Sequence, residues 1–176
     1  MGFYNLETLK QDANHHGIKV IHPDINRSIS KCIILNDKSF ILGFLNVKGL
    51  GKASVDSIIK ARCAGRFHSL PDVMRRTGLQ RGPIESLITA GAFDSIISDR
   101  RSALWQTGLL YQPGVTQKTL PFSTDQDMPQ LPLMTDWETM LNEYRTMGIH
   151  PNSHFMAYMR ENLSDNITSS RDLAHL

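Results

Sequence analysis

The chain has almost no cysteine. Cys32 and Cys63 are the only two among 176 residues, and neither stands in a Cys/His pair of metal-ligand spacing, which argues against a disulfide framework and a zinc site. Both are read as buried small apolar residues. Long apolar runs are missing too. Nothing approaches the roughly 18 consecutive residues of a membrane span, and the opening MGFYNLETLK lacks the basic-then-apolar layout of a secretory signal, so the expected setting is cytoplasmic. The hydrophobic share, 40%, suits one compact domain or two small ones. Charge of one sign is scarce overall, the net being +2, but not locally. Residues 1–42 hold 5 Lys/Arg against 4 Asp/Glu, residues 43–93 hold 8 against 3, and residues 94–176 hold 6 against 10. A basic block of this kind is an electrostatic footprint for a polyanion, and also what exposed helix faces carry by chance.

What is present is mostly helical periodicity. Asn5 is expected to cap a helix over residues 6–16 with Leu6, Leu9 and Ala13 on its inner face and Gly17 as its stop. IKVIHPDIN reads as a short strand entering a turn, and KCIILNDKSFILGFL as a small β-hairpin around Asn36-Asp37-Lys38. Helices follow over residues 54–62 (Val55, Ile58 and Ile59 inward), 69–76 (Ser69 as N-cap), 83–90 (Ile84, Leu87 and Ile88 inward) and 99–110. Residues 113–135 carry four prolines without sustained periodicity and are expected to form an exposed linker. Beyond it, Asp136 is expected to cap a helix with Trp137, Met140, Leu141 and Tyr144 as a core stripe, followed by short helices from Ser153 and after Ser169. The fold class is mainly α, with a small β-hairpin near the N-terminus and a helical segment after a Pro-rich linker.

The strongest motif is Leu45-Asn46-Val47-Lys48-Gly49-Leu50-Gly51-Lys52-Ala53, running directly into the Val55 helix. Gly49 and Gly51 permit close backbone approach, Leu50 plugs the gap between helices, and Ala53 keeps the crossing free of bulk. The result is a row of backbone N–H groups at a helix N-terminus, which binds phosphate oxygens without reading bases, assisted by Lys48 and Lys52. This is the pattern of a helix-hairpin-helix. A degenerate second copy runs through Arg75, Arg76, Gly78, Arg81 and Gly82 into the Ile84 helix, making the motif a tandem pair, with its arginines facing a second phosphate or simply solvent. The competing reading of KGLGK is a tight turn with no ligand.

GFLNVKGLGKASVDSIIKAR, GRFHSLPDVMRRTGL and IESLITAGAFDS resemble the corresponding run in bacterial DNA polymerase III alpha subunits. MGFYNLETLKQDANHHGIKVIHPDIN, DRRSALWQ and WETMLNEYRTMGIHPNSHFMAYMR more specifically resemble the error-prone, damage-response branch of that family. The resemblance implies a division into residues 1–42 (end of the fingers), 43–112 (tandem helix-hairpin-helix domain), 113–135 (linker) and 136–176 (helices leading toward an OB domain). It implies duplex DNA backbone and the remainder of the polymerase as partners, a supporting part in damage-induced synthesis, and Mg²⁺ for the parent enzyme's nucleotidyl transfer. No acidic triad suited to two catalytic Mg²⁺ ions is discernible within this chain. His15, His16, His22, His68, His150, His154 and His175 show no metal-site grouping, so the chain is expected to be non-catalytic and without a cofactor of its own. Whether a monovalent cation sits under the hairpin carbonyls stays open.

Replicative relatives carry a sliding-clamp peptide after this domain, and Gln117, Leu120 and Phe122 fit Gln-x-x-Leu-x-Phe, a candidate clamp-binding peptide in which two apolar anchors enter a pocket. A protein-docking module using Phe3, Tyr4 and the Trp137 helix, toward the clamp or an accessory damage-response factor, is the alternative function. A DNA glycosylase is the remote one: Asp72 follows the hairpin at about the right distance, but also suits the first turn of a helix.

Overall fold

A computed structural model describes residues 4–111, 131–160 and 163. Most of the expected linker, the candidate clamp-binding residues Gln117, Leu120 and Phe122, Phe3, and the helix expected after Ser169 lie outside the described residues.

Helix α1, Leu6–His15, starts where Asn5 Oδ1 accepts the Thr8 N–H at 2.8 Å. Its inner face differs from expectation. Leu6 and Leu9 are exposed while Lys10 is buried, because the Lys10 ammonium finds acceptors inside: the carbonyls of His150 at 2.9 Å and Ser153 at 2.8 Å, and Glu7 Oε1 at 2.6 Å. With its charge satisfied, the lysine stem packs like an aliphatic chain.

Strands β1 (Lys19–Ile21), β2 (Ile33–Asn36) and β3 (Ser39–Ile41) form one sheet in the order β1-β3-β2. The β2–β3 hairpin is the expected one, its turn held by Asn36 Oδ1, which accepts from Lys38 N and Ser39 Oγ, both at 2.9 Å. The parallel pairing of β1 with β3 is a non-local choice that no turn signal announces. Asn26 then ties this segment to the helices: its side chain exchanges hydrogen bonds with both the N–H and the carbonyl of Phe67.

Gly43 opens a 3₁₀ turn, Phe44–Asn46, where the chain crosses itself. A Cβ on Gly43 would come under 3.0 Å from the backbone of Ser30 and Lys31, while the Phe44 and Leu45 N–H groups donate to Ile29 O and Ser30 O. Then come α2 (Lys52–Arg62), α3 (Leu70–Thr77), α4 (Arg81–Thr89), α5 (Arg100–Leu110), α6 (Asp136–Met147) and α7 (Phe155–Arg160). Their inward residues, among them Val55, Ile58, Leu70, Val73, Ile84, Leu87 and Ile88, join Val20, Leu42 and Phe44 in one core, to which Met147 and Ile149 also belong. The packing thus draws on both sides of the boundaries expected at residues 42/43 and 135/136.

Three further expectations need correction. Cys32 and Cys63 are exposed, not buried; Cys63 caps α2 one residue past its last turn, where the chain leaves the core. The N-cap of α6 is Thr135, whose hydroxyl accepts the Glu138 N–H while Glu138 Oε2 accepts the Thr135 N–H, a reciprocal box that Asp136 has no acidic partner to form. And Trp137 is 37% exposed. It lies against Phe155 and Tyr158, with ring centroids 5.6 Å and 6.0 Å away; the buried line of α6 is Met140, Glu143 and Met147.

Candidate nucleic-acid interface

The two hairpins share the backbone states of the glycine that opens each and of the residue that starts each following helix. In the first, Gly49 has φ +84, Leu50 is 7% exposed, and Gly51 is the extended N-cap of α2 (φ −79, ψ 162). In the second, Gly78 has φ +64, Leu79 is 7% exposed, and Gln80 is the extended N-cap of α4 (φ −73, ψ 164). The burial pattern across Gly49–Ala53 (exposed, buried, exposed, exposed, exposed) repeats across Gly78–Gly82. The equivalences are therefore Gly49 with Gly78, Leu50 with Leu79, Gly51 with Gln80, Lys52 with Arg81, and Ala53 with Gly82. The paired glycines expected in the second copy are not the counterparts of Gly49 and Gly51: Gly82 stands in the alanine position. The Gly-Leu dipeptide, common to both copies, is the sequence signal that gives this register.

Both helices that follow a hairpin begin without a side-chain cap. The other four helices of comparable length are each closed by a side chain: Asn5, Ser69, Asp99 and Thr135. An uncapped N-terminus leaves its first N–H groups without an intrahelical acceptor and carries the positive end of the helix dipole. In α2 the first hydrogen bond of the ladder is Val55 N to Gly51 O, and in α4 it is Ile84 N to Gln80 O. The N–H groups of Lys52, Ala53 and Ser54, and of Arg81 and Gly82, precede those bonds; Pro83 has none to offer. Exposed Lys48 and Lys52 make no ion pair among the described residues. Tyr111 Oη donates to Leu79 O, fixing the second hairpin from the end of α5.

The arginines divide. Arg81, the counterpart of Lys52, is exposed and pairs with Glu85 at 2.7 Å. Arg75 pairs with Asp72 at 3.1 Å while its side chain is 79% exposed. Arg76 faces inward: it donates to the carbonyls of Ala61, Gly65 and Arg66, pairs with Asp72 at 3.0 Å, and lies 4.4 Å over the Phe67 ring. It closes the C-terminal end of α2 and is not presented to an outside phosphate. Asp72 is held by those two guanidiniums. Its partial burial would raise the carboxyl pKa, but hydrogen bonds from Arg76 and Arg75 outweigh this and keep it below the ordinary range. Its place in this ion-pair cluster is that of a structural carboxylate in the first turn of α3.

The fold also gathers three residues that show no grouping in the sequence. His22 Nε2 and His150 Nδ1 meet Glu143 at 2.8 Å and 2.7 Å, all ligand-type atoms lying within 4.8 Å of one another. Arg100 Nη1 reaches the same carboxylate at 2.7 Å and Asp94 at 2.6 Å through Nη2. Through these bonds the cluster braces α6 to α5 and to the residue that follows β1, with the Arg100 guanidinium already on the shared carboxylate. Burial pushes the Glu143 carboxyl up, yet hydrogen bonds from His150 and His22 and the charges of His22 and Arg100 hold it down at about 2.

Paired hairpins with glycine at positive φ, a buried leucine and an uncapped helix define a helix-hairpin-helix protein, and the helix-hairpin-helix motif family matches residues 17–103. Along nearly its whole length the chain is also similar to error-prone DNA polymerases. It is 30% identical to that of Symbiobacterium thermophilum over 211 residues (93% of this chain, 19% of that protein). It is 33% identical to that of Sinorhizobium medicae over 204 residues (99% and 18%), and 34% identical to that of Rhodopirellula baltica over 172 residues (93% and 15%). The similarity is to one segment of these polymerases: the chain spans less than a fifth of the length of these relatives. No helix among the described residues is long and apolar enough to cross a membrane.

Proposed function

We propose that this chain is the duplex-gripping segment of an error-prone DNA polymerase of the DNA polymerase III alpha type. It holds the sugar-phosphate backbone without reading sequence and supports damage-induced synthesis whose chemistry is performed by other domains. The observation that carries this is the pair of matched, exposed hairpins, each presenting uncapped helix N–H groups and a basic residue at the same position, Lys52 and Arg81. One hairpin would be a turn. Two related ones engage two phosphates at once, which is what a backbone-tracking module needs. Residues 43–112 are then the gripping part and the flanking residues its attachments, acting in the cytoplasm.

The test is a salt titration of duplex DNA binding by the full chain and by its Lys48/Lys52→Glu form. Affinity is expected to be independent of sequence and to fall with added salt. The double charge reversal should weaken binding further and flatten the log–log salt slope by about 2, one unit per lost phosphate contact. Salt-insensitive binding, or a variant that binds like the wild type, rejects the assignment.

A second reading, docking onto protein, is favoured by Tyr4, Leu6 and Leu9, which leave large apolar side chains exposed at and along α1. It is compatible with the first, since these residues belong to a different element from the hairpins.

A further inference from the structure

The first hairpin is completed by a helix remote from it in sequence. The Lys48 N–H donates to Thr146 O at 2.8 Å, Thr146 Oγ1 lies 3.1 Å from Thr89 Oγ1 on α4, and Met147 enters the core that holds Val47 and Leu50. The last turn of α6 therefore sits against the hairpin, and the residue preceding Thr146 is Arg145. Helical geometry turns Arg145 away from the buried line of Met140, Glu143 and Met147. It is exposed and, among the described residues, forms no ion pair, whereas Arg75, Arg76, Arg81, Arg100 and Arg101 each face a carboxylate.

We propose that α6 belongs to the DNA-binding surface, with Arg145 contacting the phosphate next to the one held by the first hairpin. This rests on the hairpin reading above. A basic residue in a last helical turn ordinarily complements the carbonyl end of its own helix. Two of those carbonyls already have protein donors here: Thr146 O takes the Lys48 N–H, and Tyr144 O takes the Gly148 N–H at 2.9 Å. Arg145, one residue before the carbonyl that anchors Lys48, keeps an exposed charge for an anion outside the molecule.

The experiment measures duplex affinity against salt for the full chain carrying Arg145→Glu, Arg145→Lys, Arg160→Glu or Lys48/Lys52→Glu. Arg160 is an exposed residue of α7 and controls for net charge. Arg145→Glu is expected to lose affinity several-fold beyond Arg160→Glu and to flatten the salt slope by about 1, while Arg145→Lys keeps the slope. Thermal melts should leave all four forms folded, since each changed side chain is exposed. If Lys48/Lys52→Glu weakens binding but Arg145→Glu matches Arg160→Glu, the hairpin reading stands and the part given to α6 is overturned. If Lys48/Lys52→Glu has no effect, the hairpin reading falls, and the inference built on it falls too.

Discussion

Glu143 is fully buried and answers three donors from different parts of the chain, His22, Arg100 and His150. Removing Glu143 leaves His22 and His150 without their carboxylate acceptor and Arg100 with only Asp94 of its two carboxylates. Glu143→Ala is expected to cost about 3–5 kcal/mol in urea unfolding, the range for a buried pair broken by removing one partner. Its pH dependence has a definite sign. A carboxyl lowered from 4.5 to about 2 on folding contributes stability that is fully present above pH 4.5 and is lost as pH falls toward 2, on the order of 3 kcal/mol in all. Unfolding midpoints of the wild type should drop across that window, and those of Glu143→Ala should lack this part of the drop.

At the scale of elements, the two hairpins place different demands on their glycines. Gly49 has positive φ, and a Cβ there would lie 3.1 Å from Ser86 Oγ, so Gly49→Ala should destabilise by about 1–3 kcal/mol. Gly82 sits in the first turn of α4 with open space around it and in the place that Ala53 fills in the first copy. Gly82→Ala should be neutral or add about 0.5–1 kcal/mol. Chemical unfolding of the two variants separates these outcomes, and equal effects would reject the register. The first hairpin was legible because its signals are local: Gly-Leu-Gly, flanking lysines, and an apolar period starting at Val55. So were the caps at Asn5 and Ser69. The second copy was legible only in part, because Gln80 replaces a glycine where φ is negative and no glycine is required. Arg76 and Gly43 were not legible at all. Whether an arginine faces solvent or three carbonyls, and whether a glycine is there for a chain crossing, depends on what folding brings beside it. For the same reason His22 and His150 carried no signal of Glu143.

For the whole molecule, the segment after residue 131 is structural to the rest. Met147 and Ile149 lie in the common core, Glu143 braces α5 and the exit of β1, and Lys10 of α1 is satisfied by the carbonyls of His150 and Ser153. A chain ending at Tyr111 would keep both hairpin sequences yet expose that core face and take away acceptors of Lys10 and Arg100. It is expected to melt at a markedly lower temperature and with less cooperativity than the full chain, as read by circular dichroism. A sharp transition at the wild-type temperature would instead show that residues 4–111 fold alone.

The hydrogen bond from Lys48 N–H to Thr146 O also sets an order of events. During synthesis the first hairpin emerges long before its acceptor is made, and closing so large a loop is a late, entropically costly step. Nascent chains therefore carry the basic loop and its lysines before the support that shapes them, and the surface matures only when α6 docks. Affinity for polyanions should rise at the end of folding rather than at its beginning.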